Sequence, residues 1–274
     1  MKRGLDVYSS DEVAGLRIFI SFLFLSPLIY RHVKKELWQH WKSFLGMGVF
    51  GNFIPAFLFT KAETGISSSL AGILNSLTPL FTLILGVLIF KAKTRWVNVA
   101  GLTLGFVGAV GLMTVGKDVD INSNLVYGSY ILLATILYGL SVNIIKSKLG
   151  GVNSITATVW AMMFIGPLAG IYVFGFTDFT TRVVTNPIAL QSLGYISLLA
   201  IFGTALSVII FNVLIRNTSA LFASSVTYLI PIVAMGWGVM DGDSIFPLHF
   251  VWIGLILLGV YLVNKKKAIK VLSE

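Results

Sequence analysis

The sequence predicts an all-α integral membrane protein: an inverted-repeat helical bundle with nine transmembrane helices. Hydrophobic residues occupy 56% of the 274 positions and charged residues only 11%, and the mean hydropathy is +0.90. This composition leaves too few polar residues to cover the surface of a soluble fold. The apolar residues form segments long enough to cross about 30 Å of hydrocarbon as helices. An internal repeat at a spacing of 152 residues predicts the inverted arrangement.

Nine apolar segments, separated by short polar connections, account for most of the chain. Short connections are typical of neighbouring helices in a compact bundle. No polar stretch is long enough to form a separate soluble domain. The predicted spans are Asp11–Tyr30, Ser43–Thr60, Ile66–Phe90, Trp96–Val115, Leu125–Ile145, Ile155–Phe174, Ala189–Ile215, Thr218–Met240 and Phe246–Val263.

The basic residues predict how the chain is oriented. When the spans alternate sides, fourteen of the twenty Lys and Arg residues fall on the side of Arg31–Lys42, five fall on the other side, and Arg17 lies within a span. Basic residues are concentrated on the cytoplasmic side of membrane proteins. We therefore expect a multi-pass protein of the inner or plasma membrane with a cytoplasmic C-terminus. The short basic runs form no continuous face for phosphates, so no nucleic-acid partner is expected.

The third span contains a proline that predicts a kink. Pro79 cannot donate to the backbone ladder, and its ring pushes against the carbonyl group of Asn75. A freed carbonyl within a membrane is tolerated only where it faces protein or a wet cavity. The sequence therefore predicts a hinged helix that lines a polar pocket.

The eighth span repeats this pattern. Pro231 follows Thr227 by four residues, and a shift of 152 residues aligns Pro79 with Pro231. The same shift gives nine identities in the 38 positions from Phe50 to Val87. We interpret this as a duplication, with repeats at 1–120 and 121–274. If each repeat has an odd number of helices, the second repeat starts on the opposite side of the membrane, so the two halves have inverted orientations.

The first half is one helix short of the second. We expect an original first helix to be missing from the sequence, and a true nine-helix protein is the alternative.

Several short motifs, in this order and spacing, resemble the drug/metabolite transporter (DMT) superfamily in its ten-helix EamA-type branch. The resemblance implies a secondary transporter (a permease) with inverted repeats, a central cavity and alternating access, more often used for efflux than for uptake. The missing first helix leaves a truncated, non-transporting remnant as an alternative. The motifs are Ala14-Gly15-Leu16-Arg17, Ala71 through Pro79-Leu80-Phe81, Gly101 to Gly108, Gly203-Thr204-Ala205 and Pro231-Ile232.

Six neutral residues are the candidate substrate-binding residues. Asn75 and Thr227 correspond under the repeat and precede the two prolines, so they could offer hydrogen bonds near the midplane; hydrogen bonding between helices is the alternative. A second corresponding pair follows two glycines, and two tyrosines lie deep enough to stack on a flat or apolar substrate. Packing or contact with lipid is the alternative for the tyrosines. The full set is Asn52, Asn75, Tyr138, Thr204, Thr227 and Tyr228.

The other polar residues favour no enzyme. There is no cysteine, the three histidines have no ligand partner at useful spacing, and no metal or cofactor is expected. A multi-pass enzyme acting on lipid-linked substrates is the alternative function, but its acid–base pair is not evident among the scattered loop acids. Arg17 lies six residues inside its span, where we favour an anchor reaching the outer interface over a gating role.

The expected partners are the lipid bilayer and a small-molecule substrate. The neutral and aromatic candidates favour amino acids or drug-like amphipathic compounds. Gly101-x3-Gly105 is typical of close helix contact, inside one chain or in a homodimer, and we favour contact inside the bundle.

Overall fold

The structure is a computed structural model that describes residues 2–31, 34–66, 68–115, 125–233, 235 and 246–264. Within these ranges the chain is helical and contains no β-strand, which confirms the predicted all-α class. The main helices, α1 to α9, are Ser10–Tyr30, Leu37–Ala62, Leu70–Leu88, Trp96–Thr114, Leu125–Lys148, Ser154–Phe176, Ala189–Asn217, Ala220–Val233 and Pro247–Asn264.

Eight of these helices are long and apolar enough to span a membrane, and α8 is shorter. The rest of the eighth predicted span falls on positions 234 and 236–240, which lie outside the described residues, as does the basic tail after Asn264. The prediction of a membrane helical bundle is confirmed. The hydropathy pattern did not predict two short helices, Lys2–Leu5 and Phe179–Thr185.

Helices α2 and α7 each contain a π-helical segment near the middle. In α2 the segment covers Val49–Phe53, and in α7 it covers Ile201–Leu206. The two segments begin 152 positions apart, which is the spacing of the sequence repeat. An inserted π-helical turn is frequent at functional sites in α-helices. Asn52 and Thr204, one of the corresponding candidate pairs, lie in these segments.

The helices that contain Pro79 and Pro231 are both interrupted. Helix α3 is divided into two segments, Ser68–Asn75, which begins two residues before the apolar stretch Leu70–Leu88, and Thr78–Leu88. Pro79 lies in the first turn of the second segment, where a missing N–H is tolerated. Helix α8 changes to a 3₁₀ helix at Val226–Leu229, just before Pro231. The change in helical geometry therefore occurs beside each proline, as the sequence predicts.

The most extensive contact in the bundle joins α4 and α9. Glycines let the two backbones approach closely: a Cβ atom on Gly259 would lie 2.5 Å from the backbone nitrogen of Gly105 and 2.6 Å from the carbonyl oxygen of Gly101. Ile256 packs over Gly108 in the same interface. The glycine motif of the fourth span therefore serves packing inside the bundle.

Two other packing arrangements define the space at the centre. Helix α1 packs against α6, where Phe22 covers Gly166. Helix α5 packs across both α2 and α3, and Asn143 Nδ2 of α5 donates a hydrogen bond to the carbonyl oxygen of Thr82 in α3 at 2.9 Å. These contacts hold α5 beside the kink of α3.

The first turn of α1 is tied to neighbouring elements. Ser9 and Glu12 form a capping box, in which the Ser9 N–H donates to Glu12 Oε2 at 2.7 Å and the Glu12 N–H donates to Ser9 Oγ at 3.2 Å. Glu12 also pairs with Arg182 Nε at 3.5 Å. The Tyr8 hydroxyl donates to the carbonyl oxygen of Ala189 at 3.0 Å, which joins this end of α1 to the start of α7.

The C-terminal end of α7 is capped by a lysine from α5. Lys146 Nζ donates to the carbonyl oxygens of Ile215 and Arg216, each at 3.1 Å, and to that of Thr218. The last carbonyl groups of a helix have no partner inside it, and a positive charge there is favourable. Lys146 therefore stabilises the turn between α7 and α8.

Candidate functional site

A cavity of about 520 Å³ lies inside the bundle, where α1, α2, α3, α5, α7 and α8 meet. Its volume falls within the range of roughly 300–1,000 Å³ that is typical of sites for small molecules. Met47, Val142 and Phe211 form apolar parts of the wall. Hydroxyl and amide side chains interrupt this apolar surface, so the wall combines apolar area with a few polar groups.

Four of the six predicted substrate-binding residues line this cavity. They are Asn52 on α2, Asn75 on α3, Tyr138 on α5 and Thr227 on α8. The corresponding residues Asn75 and Thr227 therefore reach the same space from the two kinked helices. The sequence repeat predicted this pairing.

The backbone carbonyls that the two prolines leave free are satisfied locally. The carbonyl oxygen of Asn75 accepts a hydrogen bond from Thr78 Oγ1 at 2.8 Å, and that of Thr227 accepts from the backbone N–H of Ile230. The Thr227 hydroxyl donates to the carbonyl oxygen of Ser224 at 2.8 Å. The side-chain amide nitrogen of Asn75 donates no hydrogen bond to the described part of the chain. This amide, rather than the freed carbonyl, is available to a bound molecule.

Helix α5 contributes an aromatic ring and a hydroxyl to the wall. The Tyr138 ring lies 5.9 Å from the Phe59 ring, measured between centroids, and its hydroxyl forms no hydrogen bond within the described ranges. Ser141 packs against Gly51 of the π-helical segment in α2, where there is no space for a Cβ atom. The glycine therefore allows α5 to approach α2 at the level of the cavity.

Asn52 and Thr204 occupy corresponding π-helical segments but make different contacts. Asn52 lines the cavity, and its Nδ2 lies 3.5 Å from the carbonyl oxygen of Met47. Thr204 is 3% exposed and is not part of the cavity wall. Its Oγ1 accepts a hydrogen bond from Arg17 Nε at 2.6 Å. Thr204 therefore acts on the cavity through the side chain of Arg17.

Tyr228 lies away from the cavity. Its side chain is fully buried against α4, where its ring covers Gly105 and its hydroxyl donates to the carbonyl oxygen of Leu102 at 3.1 Å. Tyr228 therefore serves the contact between α8 and α4, whereas Thr227 beside it faces the cavity.

Sequence reasoning missed several residues of the cavity wall. Thr78, Ser141 and Ser207 also line it, and so does Asn212, whose Nδ2 donates to Thr158 Oγ1 at 2.8 Å. A polar side chain within an otherwise apolar span is the signal that these residues share. Because interhelical hydrogen bonds give the same signal, the sequence alone does not separate the two roles.

The only charged side chain on the described cavity wall is that of Arg17. No aspartate or glutamate lines this part of the cavity. Among the described residues there is also no group of three or more His, Asp or Glu side chains suited to a metal ion. Apart from one guanidinium group, the described wall is therefore uncharged.

Comparison with known proteins identifies relatives over nearly the whole chain. The model of the EamA-like transporter family matches residues 1–114 and 127–265. An uncharacterized transporter of Archaeoglobus fulgidus is 26% identical over 269 residues, which cover 97% of this chain and 93% of that protein. The uncharacterized inner membrane transporter YedA of Escherichia coli K12 is 26% identical over 218 residues, which cover 77% of this chain and 66% of YedA.

A solved structure has the same overall fold. This protein crystal structure is 15% identical in sequence and aligns with a TM-score of 0.72 over 95% of this chain and 89% of its own.

Proposed function

The chain belongs to the EamA-like transporter family and is a multi-pass membrane transporter, and we propose that it moves small metabolites by alternating access. In this mechanism two halves of the bundle rock about a central site, so that the site opens to one side of the membrane at a time. The proposed direction is export from the cytoplasm, for which the support is the family resemblance alone.

The observation that carries this proposal is the cavity of about 520 Å³ inside the helical bundle. Polar side chains reach it from the two interrupted helices, Asn75 on α3 and Thr227 on α8. Polar groups in the hydrocarbon region are costly and are retained where they line a pathway or a binding site. An apolar wall with a few polar groups suits a small amphipathic molecule.

Two further observations support a division into inverted halves at 1–120 and 121–274. The π-helical segments begin 152 positions apart, and so do the first segments of α3 and α8, which start at Ser68 and Ala220. The family model matches the chain in two parts, on either side of 115–126. The proposed boundary itself falls within positions 116–124, which lie outside the described residues.

The cavity wall also bears on how transport is driven. Carriers that move protons or sodium usually hold a carboxylate within the membrane, and the described wall of this cavity has none. We therefore propose facilitated transport or exchange, driven by the gradient of the substrate or by its own charge.

Transport by the purified protein in liposomes tests the proposal. The liposomes are loaded with a panel of labelled neutral amino acids, organic carboxylates and cationic amphiphiles, and efflux is compared with that from protein-free liposomes. We expect at least one compound to leave faster. If no compound in the panel moves faster than in protein-free liposomes, the proposal is contradicted.

A pair of tryptophan substitutions tests whether the transport pathway passes through this cavity. Thr227→Trp puts a large side chain into the cavity, whereas Leu257→Trp enlarges a side chain on α9 that is 53% exposed on the outer face of the bundle. We expect Thr227→Trp to reduce efflux at least tenfold and Leu257→Trp to leave it within twofold of the unmodified protein. Equal rates in the two monodisperse variants would contradict a pathway through this cavity.

A further inference from the structure

The side chain of Arg17 turns inward, towards α7 and the cavity. Arg17 lies seven residues after the start of α1, about 10 Å along the helix. Its Nε donates to Thr204 Oγ1 at 2.6 Å, and Arg17 itself forms part of the cavity wall. Because Thr204 is 3% exposed, this contact directs the guanidinium into the bundle. The placement differs from the interfacial anchor that the sequence favoured.

The guanidinium of Arg17 has no acidic partner in the described part of the chain. Its guanidinium donates a hydrogen bond to Thr204, and it forms no ion pair with a described Asp or Glu. The nearest acids along α1, Asp11 and Glu12, contact Ser10, Tyr172, Ser9 and Arg182 instead. An arginine inside a membrane protein normally pairs with an anion or with backbone carbonyls.

The contact with Thr204 leaves one edge of the guanidinium available. Nε is engaged, so the two Nη nitrogens remain as a parallel pair of donors. Such a pair fits the two oxygens of a carboxylate, and charge-assisted bidentate hydrogen bonds of this type are short and strong. Thr204 fixes the orientation of this edge and is a positioning residue.

We propose that Arg17 binds the carboxylate group of the transported molecule, so that the transporter is selective for carboxylate-bearing metabolites of small size. This inference rests on the proposed transport function and names the substrate class of the same cavity. Arg17 supplies the only positive charge on the described wall, and the amide of Asn75 and the hydroxyl of Tyr138 supply neutral hydrogen bonds.

The charge of the wall further restricts the ligand. An ammonium group is stabilised most strongly by an acidic partner, and the described wall offers none. The carboxylate is therefore the group that is recognised, and an amino group on the same molecule adds little to binding. A carboxylate without an amino group is expected to bind at least as tightly as the matching amino acid.

Binding of matched carboxylates and amides to the purified transporter tests this inference. The probes are leucine, phenylalanine, 4-methylpentanoate and 3-phenylpropanoate, each compared with its primary amide by titration calorimetry. We expect the carboxylates to bind roughly ten- to one-hundred-fold more tightly than the amides, because the charge-assisted hydrogen bonds are lost in the amides. Arg17→Gln should reduce this preference to about twofold or less.

Three variants separate recognition from a purely structural role of the hydrogen bond between α1 and α7. Arg17→Lys keeps the charge but loses the paired donors, so it should retain a smaller preference. Thr204→Val removes the acceptor of Nε but keeps the guanidinium, so it should weaken carboxylate binding without abolishing the preference. Arg216→Gln removes an exposed arginine at the end of α7 and should leave the preference unchanged.

The outcomes are decisive in both directions. A carboxylate preference that disappears in Arg17→Gln and persists in Arg216→Gln supports the inference. If the preference persists unchanged in Arg17→Gln, or if the unmodified protein binds none of the four carboxylates, the inference is overturned. Transport of neutral or cationic compounds in the wider liposome panel would then still support the proposed function.

Discussion

The contact between α4 and α9 provides a quantitative test of the packing. In Gly259→Ala, the new Cβ atom would lie 2.5 Å from the backbone nitrogen of Gly105 and 2.6 Å from the carbonyl oxygen of Gly101. Ordinary contacts of a Cβ atom begin at 3.4 Å, so the helices would have to separate by about 0.9 Å. Both opposing atoms belong to the backbone, and no change of side-chain rotamer relieves the overlap.

The matched control is Gly254→Ala in the same helix. A Cβ atom on Gly254 meets no other atom within 4 Å. Both substitutions gain about the same helix propensity, roughly 1 kcal/mol, and this gain cancels in the comparison. Overpacking costs about 1–3 kcal/mol, and the upper end applies to Gly259 because the overlap is with backbone.

Thermal unfolding in detergent measures the difference in stability between Gly259→Ala and Gly254→Ala. A difference of about 3 kcal/mol corresponds to a lowering of Tm by roughly 6–12 °C in Gly259→Ala relative to Gly254→Ala. Both variants should remain monodisperse on size exclusion at low temperature. Equal Tm values within about 2 °C would refute the close backbone contact between α4 and α9.

Three further substitutions have distinct expected outcomes. Asn143→Leu removes the buried hydrogen bond to Thr82 and should lower stability by about 1 kcal/mol, read as a fall in Tm; an unchanged Tm would contradict the bond between α5 and α3. Tyr228→Phe loses the hydrogen bond to Leu102 and should lower the free energy of unfolding by about 1 kcal/mol, while the rate of liposome efflux stays unchanged. If efflux is lost although stability is normal, Tyr228 contributes to the transport pathway and its purely structural role is contradicted. Lys146→Met removes the cap of α7 and should lower Tm, whereas Lys146→Arg, which keeps a cationic donor, should lower it much less. If Lys146→Met and Lys146→Arg have equal Tm values, capping by Lys146 is contradicted.

The local features of the fold could be predicted because their causes are local. Pro79 and Pro231 each remove a backbone N–H donor, and this local effect is visible in the sequence; Pro167, by contrast, lies inside the continuous helix α6. The two proline helices were related by the 152-residue repeat, and this relation predicted that Asn75 and Thr227 reach the same cavity. Close contact at Gly101 and Gly105 was also predictable, although the partner helix was not, because Gly259 lies far away in the sequence.

The rotation of each helix could not be predicted from hydropathy. Successive residues differ by about 100° around a helix, so Thr227 faces the cavity while Tyr228 faces α4. The direction of the Arg17 side chain could not be predicted for the same reason. Arg17 lies close enough to the end of its span for its charge to reach the outer interface, but the packing of α1 directs it towards Thr204. A hydropathy pattern that is apolar on every face contains no information about these directions.

The protein is well suited to a direct test of the central claim, that the cavity at the kinked helices is accessible to water and lies on the transport pathway. The sequence contains no cysteine, so single cysteines can be introduced without removing native ones. Asn75→Cys and Thr227→Cys place thiols on the cavity wall. Leu257→Cys places one on the outer face of the bundle, where the bilayer excludes water.

The decisive measurement is the reaction rate of these three variants with a charged, water-soluble methanethiosulfonate reagent in proteoliposomes. The reagent requires a thiolate, which forms only where water is present. We expect Asn75→Cys and Thr227→Cys to react at least tenfold faster than Leu257→Cys. If the two cavity positions react no faster than Leu257→Cys, the cavity is closed to water and the transport account is contradicted.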